Sequence, residues 1–458
     1  MAGRDSSDLV VVGRRVVLPG GPAEAAVVVR GGRIEAVVPP ADAPASARRV
    51  DAGDLVVLPG LVDTHVHVNE PGRTEWEGFE TATRAALAGG VTTIVDMPLN
   101  AIPATTHVAA LEAKRAAAAG KCHCDVGFWG GVVPGNIPDL EPLARAGALG
   151  FKAFLVPSGV DEFPCVSLEQ LRAAAEAIAP VGLPLLVHAE SMTSIEKVAL
   201  KNQANPPDSH CYRSWMESRP GELLAFLYMG ALCWETRVRL HVVHVSGGAA
   251  AAFGNFPKRG MPMTLETCPH YLTFAAEDIP DAATQFKCAP PIRIAGAREG
   301  LWRDLGDGTI DLIASDHSPC PPAMKRLDTG DFFAAWGGIA SLELGLAAVW
   351  TGAERRGFGI EQVVRWMSSA PAALAGLAPR KGAIAKGADA DLVLWDPDAT
   401  WTVRGAELRH RHPLTPYEGM TLRGRVRRTF LRGVEVFDGA GFPAGAIGRE
   451  VDRAAAGV

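Results

Sequence analysis

The middle of the chain alternates short apolar runs with stretches of helical spacing. The apolar runs are rich in valine, isoleucine and leucine, and most precede a stretch with apolar residues three or four positions apart, as in SLEQLRAAAEAIAPVG. Near-continuous apolar strands separated by helices are typical of a parallel sheet covered by helices. The strand candidates are LPGLVDTHVHV, VTTIVDMPL, CDVGFWGGVV, ALGFKAFLV, LPLLVHAE, RLHVVHVS, MTLETCPHYL and DLIASDHSP.

These eight candidates are the number that a (β/α)8 barrel requires. The pattern therefore predicts the α/β class, with a TIM-like barrel as its main architecture. A doubly wound open sheet is the alternative. However, neither a GxGxxG turn nor a Walker loop opens the first helix, so a nucleotide-binding version of that alternative has no support.

The two ends of the chain have a different pattern. They alternate short β-rich runs with glycine turns, such as DLVVVGRRVVLPGG near the start and GRVRRTFLRGVEVFDG near the end. Neither end has enough strands for a stable fold by itself. We expect both to join in one small β-sandwich, formed by residues 1–58 and 382–458, with residues 59–381 forming the barrel.

Composition narrows the possible partners. The net charge of the 458 residues is −6, which argues against nucleic acid or an anionic membrane as the main partner because both select basic surfaces. No apolar run approaches the about 20 residues of a membrane span, and no secretory leader is recognisable. Eight cysteines without the dense spacing of a disulfide scaffold indicate reduced thiols and a cytoplasmic location.

Ionisable side chains lie at the ends of several apolar runs. The carboxyl ends of barrel strands form the mouth where chemistry is done, so these side chains are expected to converge. A single strand-end histidine or lysine has ordinary structural explanations, such as a hydrogen bond to a loop carbonyl. Several such residues at the strand ends of one barrel are harder to explain by chance. The members of this convergent set are His65, His67, Lys152, His188, His244 and Asp316.

The composition of this set indicates metal chemistry. In a β-strand the side-chain period is two, so His65 and His67 point to the same face. Four histidines and one carboxylate exceed the three protein ligands of a single catalytic zinc site. They suit two ions a few ångströms apart, and two such cations need an anionic bridge that a lysine ammonium cannot supply.

The order HxH…K…H…H…D resembles the cyclic amidohydrolases, the family of dihydroorotases, dihydropyrimidinases (hydantoinases) and allantoinases. The resemblance covers nearly the whole chain, including the split β-sandwich. It implies two divalent ions, with zinc first and cobalt, manganese or iron as alternatives. The ligands would be the four histidines and Asp316, with Asp316 also the catalytic residue. A carbamate derived from carbon dioxide on Lys152 would bridge the ions.

The longer motifs resemble the allantoinase branch of that family. They include HVHVNEPGRTEWEGFETATRAALAGGVTT, ETCPHYLTFAAEDIPDAATQFKCAPPIR and AWGGIASLELGL. Dihydroorotases usually carry an arginine for the substrate carboxylate where this chain has Asn69, and allantoin has no such carboxylate. Cys288 stands where hydantoinases usually have a serine. The resemblance thus implies hydrolysis of the hydantoin ring amide of allantoin to allantoate.

The expected substrate contacts come from loops at the mouth. The resemblance indicates the backbone around Cys288 and around Gly337 and Gly338, with Asn69 and Ser318 as further candidates. The two glycines would also be explained by a tight turn, and His317 and Ser318 would either orient Asp316 or only shape its loop. The segment SGVDEFP, residues 158–164, is expected to lie over the mouth.

Two other functions stay open at this point. One is a hydantoinase or dihydropyrimidinase acting on another cyclic amide, and the other is a non-catalytic scaffold on the same fold, against which the intact six-residue set argues. The resemblance also implies a homo-oligomer, either a tetramer or a dimer.

Overall fold

The amino-terminal segment forms strands that begin the terminal sheet. The structure is a computed structural model that describes residues 8–45, 47–247 and 260–453. The first three strands are rich in valine, are joined by tight glycine turns and pair antiparallel, whereas the next two pair in parallel with the first. These strands are β1 (Leu9–Leu18), β2 (Gly21–Arg30), β3 (Arg33–Val38), β4 (Arg48–Asp51) and β5 (Val56–Pro59).

All eight predicted barrel runs form strands, and their neighbours pair in parallel. Their residues are almost entirely buried, as expected for strands enclosed by helices. The strands are β6 (Leu61–Val66), β7 (Val91–Asp96), β8 (Asp125–Phe128) with its continuation β9 (Gly130–Gly131), β10 (Phe151–Phe154), β11 (Pro184–His188), β12 (Arg239–Val242), β13 (Met263–Thr267) and β14 (Leu312–Ile313).

The barrel closes between its first and last strands. Val66 at the end of β6 forms a parallel bridge with His317, just beyond β14. The buried carboxylate of Asp63 strengthens the same seam by accepting hydrogen bonds from the backbone N–H groups of His65 and Ser315. The prediction of a (β/α)8 barrel is therefore confirmed, and the open-sheet alternative is excluded.

Helices cover the outside of the barrel. The helix after β10 shows why they form where they do: Ser167 and Gln170 make a capping box, and the apolar face of that helix is buried. The α-helices are Phe79–Ala88, Val108–Ala118, Ile137–Arg145, Leu168–Ile178, Met192–Asn202, Tyr212–Ser218, Leu223–Thr236, Pro269–Thr273, Ala295–Gly306, Gly345–Glu354, Ile360–Val364 and Ala370–Leu374.

Short helical turns complete the connections. Arg365–Ser369 is a π-turn between the last two α-helices, and the other turns are 3₁₀ helices. The 3₁₀ turns are Pro40–Asp42, Ala179–Val181, Ala276–Asp278, Thr284–Phe286, Pro322–Lys325 and Gly405–Glu407.

The carboxyl-terminal segment returns to the sheet at the start of the chain. It contributes β15 (Leu392–Thr402), β16 (Thr421–Leu431) and β17 (Val434–Phe437). The resulting sheet has the order β17-β16-β15-β5-β1-β2-β3, with β4 alongside β1. The predicted joining of the two chain ends is therefore confirmed. The exact domain boundaries at residues 58 and 382 stay predictions.

A buried ionic cluster connects the terminal sheet to the barrel. Nζ of Lys381 lies 2.7 Å from Asp125 in β8, 2.6 Å from Asp391 and 3.1 Å from Asp389. Arg432, just after β16, also pairs with Asp125. Because these side chains are buried, their mutual pairing is what makes the charges tolerable there.

Within the described ranges, we find no helix with the length and apolarity needed to cross a membrane. The cytoplasmic location stays a prediction.

Candidate metal centre

The six predicted site residues come from five barrel strands and meet at one place. The ring centroids of His65 and His67 are 5.5 Å apart, those of His65 and His244 5.4 Å, and those of His188 and His244 4.5 Å. Oδ1 of Asp316 lies 3.3 Å from Nε2 of His65 and 3.4 Å from Nε2 of His67. The carboxyl ends of the strands therefore bring these side chains together as the barrel geometry requires.

Two of the six residues have unusual backbone conformations. His244 has φ of 41° and Asp316 has φ of 45°, in the left-handed region that non-glycine residues seldom adopt. Such conformations persist where the surrounding structure holds them, and they concentrate at functional sites. Both residues leave their strands at this point, so the turn directs their side chains into the barrel mouth.

Lys152 is fully buried in β10 and lies against the histidines. Its Nζ is 4.9 Å from the centre of the Phe154 ring, and that ring stacks on His188 at 4.7 Å. Among the described residues, this Nζ has no hydrogen-bond partner. Burial lowers the pKa of Lys152 to about 7, so a large fraction of the amine is neutral near neutral pH.

Glu266, which sequence reasoning missed, holds His65 in place. Its Oε1 accepts a hydrogen bond from Nδ1 of His65 at 2.5 Å, and its Oε2 accepts one from Nε2 of His241 at 2.9 Å. Burial opposes ionisation of Glu266, but the two histidines more than offset it and hold its pKa below the usual range. This bond fixes the ring so that Nε2 of His65 faces Asp316.

His188 has a similar partner. Its Nε2 lies 2.6 Å from Glu190, and Arg219 donates to the same carboxylate from Nε at 2.8 Å. Burial works against the charge on Glu190, yet Arg219 and His188 together lower its pKa to about 2. This contact leaves Nδ1 of His188 as the ring nitrogen available to a metal. A carboxylate two residues beyond a strand-end histidine, in HAE, is the sequence signal for this pair.

Three of the four histidines are held in the neutral form, which is the form that binds metal. Burial lowers the pKa of His67, His188 and His244 below the usual value for histidine. In Asp316 burial raises the pKa, but the neighbouring His65 and His67 outweigh it and bring the value to about 2. The centre thus offers neutral nitrogen ligands and one ionised carboxylate.

A cavity of about 280 Å³ opens above these side chains. Of the five predicted substrate contacts, four line it: Cys288, Ser318, Gly337 and Gly338. Asn69 does not belong to the described lining. Its side chain is buried, and its amide donates to the carbonyl of Pro319 at 3.4 Å. Its contact with substrate stays a prediction.

The close packing of two loops explains the glycine pair. Gly338 has φ of 148°, and a Cβ on it would overlap the backbone carbonyl of Ser318. A Cβ on Gly337 would come no closer than 3.8 Å to the backbone of Cys288. Gly338 is therefore required by the fold, whereas the fold leaves room for a side chain at Gly337.

Ser318 and His317 stabilise the loop after β14. Oγ of Ser318 donates to the backbone carbonyl of Asp316 at 2.9 Å and accepts from the N–H of Ile339 at 3.2 Å. The His317 ring faces Glu77 and the backbone N–H of Ser341, at 3.2 Å each. Ser318 therefore holds the backbone of Asp316, whereas the His317 ring holds the neighbouring loop at Ser341.

The segment SGVDEFP borders the mouth, as expected. Ser158 and Gly159 line the cavity, and Oγ of Ser158 donates to the carbonyl of Phe163 at 2.6 Å. Glu162 forms an ion pair with Arg73 of the EPGR turn, which holds the segment against the barrel. The other lining residues that sequence reasoning missed include Trp336, Arg219, Lys287 and Asn100.

The residues at this centre fit divalent ions. Ligand atoms of His65, His67 and Asp316 lie within 4.8 Å of one another. Nδ1 of His244 and Nζ of Lys152 are buried and lack partners among the described residues, which is uncommon for buried polar atoms and consistent with groups that face a cation or carry a modification. Imidazole and carboxylate suit zinc, manganese, iron and cobalt alike.

A (β/α)8 barrel with four histidines, a buried lysine and an aspartate at its mouth defines the class of metal-dependent hydrolases. Residues 56–436 match the family described as the amidohydrolase family. The chain belongs to this family, which implies a binuclear metal centre, and the family predicted from the order of the six residues is confirmed.

Two curated relatives and one solved structure show which members of the family the chain is similar to. The chain is 51% identical to an allantoinase of Streptomyces avermitilis, over 94% of this chain and 95% of that protein. It is 46% identical to an allantoinase of Saccharomyces cerevisiae, over 84% and 83% respectively. Among solved structures it resembles the L-hydantoinase (dihydropyrimidinase) of Arthrobacter aurescens, with a TM-score of 0.92, 31% identity, and coverage of 98% of this chain and 100% of that chain.

Proposed function

We propose that this protein is an allantoinase, which hydrolyses the hydantoin ring amide of allantoin to give allantoate. The observation that carries the substrate assignment is the 51% identity with the Streptomyces avermitilis allantoinase across 94% of the chain. The second observation is the complete set of six site residues at the barrel mouth, which supports catalysis over a scaffold function.

The four histidines and Asp316 would hold two divalent ions, and Lys152 as a carbamate would bridge them. Zinc is the first candidate, and cobalt, manganese and iron suit the same ligands. The neutral fraction of the Lys152 amine supports the carbamate, because only a neutral amine attacks carbon dioxide. When bound, such a pair of ions lowers the pKa of a water molecule between them and polarises the ring carbonyl.

Asp316 would move the proton. Its carboxylate is ionised near neutral pH and lies at the floor of the cavity, next to His65 and His67. From there it would accept a proton from the attacking water and pass it to the departing ring nitrogen. The polypeptide also holds the carboxylate still, because Ser318 and Ile339 fix the backbone that carries it.

The charges around the cavity favour a neutral ring. In the described part of the cavity lining, the lysine and arginine side chains are Arg219 and Lys287. Arg219 is paired with Glu190, and Nζ of Lys287 donates to the carbonyls of Ala335 at 2.5 Å and Phe333 at 3.2 Å. Burial lowers the pKa of Lys287 to about 7, which weakens its charge further. A substrate carboxylate, as in dihydroorotate, would have to displace one of these contacts.

A substrate panel tests the proposal. Hydrolysis of allantoin, hydantoin, dihydrouracil and dihydroorotate would be compared on protein whose bound metal has been quantified. We expect allantoin to be clearly preferred, and Lys152→Ala and Asp316→Ala each to abolish the activity. Preference for hydantoin or dihydrouracil would favour the hydantoinase alternative. Protein that binds no metal and opens no ring, even after divalent ions and bicarbonate are added, would favour a scaffold.

The proposed homo-oligomer, a tetramer or a dimer, is supported by an apolar surface on the helix Leu223–Thr236. Leu224, Leu227 and Trp234 are 54%, 51% and 61% exposed and share one face of that helix. Apolar side chains in such an arrangement mark contact surfaces. Sedimentation equilibrium would measure the mass of the assembly, and a monomer at micromolar concentration would contradict this proposal.

A further inference from the structure

We propose that Cys268, His270 and Asp316 form an additional cation site for a thiophilic divalent ion such as Zn²⁺ or Cd²⁺. The site would lie beside the catalytic centre and share Asp316 with it. An ion bound there would engage the carboxylate that the reaction needs, so excess thiophilic metal would inhibit the enzyme through a defined site.

The three side chains come from adjacent strand ends. Cys268 directly follows β13, His270 lies two residues later, and Asp316 follows β14. One ligand atom of each, the thiol sulfur, a ring nitrogen and a carboxylate oxygen, lies within 4.8 Å of the other two. Metal–ligand distances of about 2.0–2.3 Å would place such atoms roughly 4 Å apart or less, so only a small closure is needed.

The state of His270 is the independent observation. Its ring is completely buried, yet neither Nδ1 nor Nε2 has a hydrogen-bond partner among the described residues. Buried histidine nitrogens nearly always have a partner. The ring packs against Tyr271, with centroids 4.1 Å apart and the two planes inclined at 61°, which orients the ring without satisfying either nitrogen. A cation would give one nitrogen the partner it lacks.

The kinds of ligand decide which ion fits. Cys268 is a free, fully buried thiol, and sulfur with imidazole selects zinc or cadmium over magnesium or manganese. The six residues of the proposed catalytic centre include no thiol. The two sites are therefore chemically distinct although they share Asp316, and a soft ion distinguishes between them.

Cadmium titration of the full chain with its catalytic metals loaded tests this site. Bound metal would be counted by mass spectrometry after gel filtration, and the thiolate-to-cadmium charge-transfer band would be followed in the ultraviolet. Cys268→Ser and His270→Gln would be compared with Cys233→Ser, which replaces a buried free thiol in the helix Leu223–Thr236. Cys288→Ser would show whether the thiol at the cavity contributes to the band.

We expect the wild type and Cys233→Ser to bind one more cadmium per subunit than Cys268→Ser and to show the charge-transfer band. His270→Gln should weaken this binding at least tenfold. Equal stoichiometry and an equal band in wild type and Cys268→Ser would overturn the site. If Cys268→Ser fails to fold, the cadmium affinity of His270→Gln decides whether the site exists. A cadmium affinity equal to that of the wild type would again overturn the site.

The inhibition step rests on the proposed function, whereas the count of bound metal does not. With allantoin as substrate, we expect excess cadmium to lower the activity of the wild type at least tenfold and to leave Cys268→Ser largely active. If the extra ion binds without inhibition, the shared use of Asp316 is wrong. If no ring is hydrolysed by metal-loaded protein, the proposed function fails while the metal count still decides the site.

Discussion

Glu266 accepts a hydrogen bond from Nδ1 of His65 at 2.5 Å, on the side of the ring opposite Asp316. This relationship leaves Nε2 of His65 as the nitrogen available to a metal. Glu190 does the same for His188 through the other ring nitrogen. The barrel thus presents histidines whose tautomer and orientation are fixed by buried carboxylates, an arrangement that raises the basicity of metal ligands.

Glu266→Gln should weaken metal binding without unfolding the barrel. The amide can still accept one hydrogen bond, but it lacks the negative charge that supports His65 and His241. Loss of such a partner typically costs a factor of about 10–100 in metal affinity or activity. Competition with a chelator would measure the affinity. Glu196→Gln, in an exposed position of the helix Met192–Asn202, is the control, and retention of wild-type affinity by Glu266→Gln would contradict the role of Glu266.

The two neighbouring glycines should respond differently to alanine. Gly338→Ala places a methyl group against the carbonyl of Ser318 at a left-handed φ, so the loop that carries Asp316 must shift. We expect a lower melting temperature and a fall of at least tenfold in kcat. Gly337→Ala meets no close atom and should keep the melting temperature, with any effect confined to KM. Equal melting temperatures for the two variants would refute the steric argument.

Lys381→Met should destabilise the joint between the terminal sheet and the barrel. The substitution leaves the carboxylates of Asp125, Asp389 and Asp391 buried with only the nearby arginines to offset them. Removing one partner of a buried ionic cluster typically costs about 3–5 kcal/mol. Calorimetry would compare it with Lys386→Met, which replaces an exposed lysine of the same segment. A melting temperature equal to that of the control would show that the cluster contributes little.

The main architecture and most of the centre could be predicted because short segments of the sequence carry the signal for both. Apolar runs locate the strands, and ionisable residues at their ends locate the mouth. Glu266 was missed because a buried glutamate within a strand has no meaning until His65 is placed beside it, 201 positions earlier. The Lys381 cluster depends on a contact across 256 positions, which no local pattern indicates. The contact of Asn69 with substrate stays a prediction, because its side chain is buried and does not belong to the described lining of the cavity.

Glu222 should give the stability of the protein a specific dependence on pH. Its buried carboxylate accepts hydrogen bonds from the N–H and hydroxyl of Ser246, at 3.2 and 2.9 Å, yet burial raises its pKa to about 7, from 4.5. Between these two values the folded state holds a proton that the unfolded state has released. The free energy of unfolding therefore falls as pH rises through this window.

Glu222→Gln removes that titration and can keep both contacts with Ser246. Relative to the wild type, we expect the variant to gain stability from pH 5 to pH 8, by at most about 3 kcal/mol. Denaturation midpoints of the variant and the wild type would be measured at the same pH values across this range. Any loss of metal at low pH then affects both proteins alike and cancels in the difference. Glu217→Gln, at an exposed position nearby, is the control. A constant difference between Glu222→Gln and the wild type would mean that Glu222 titrates normally in the folded protein.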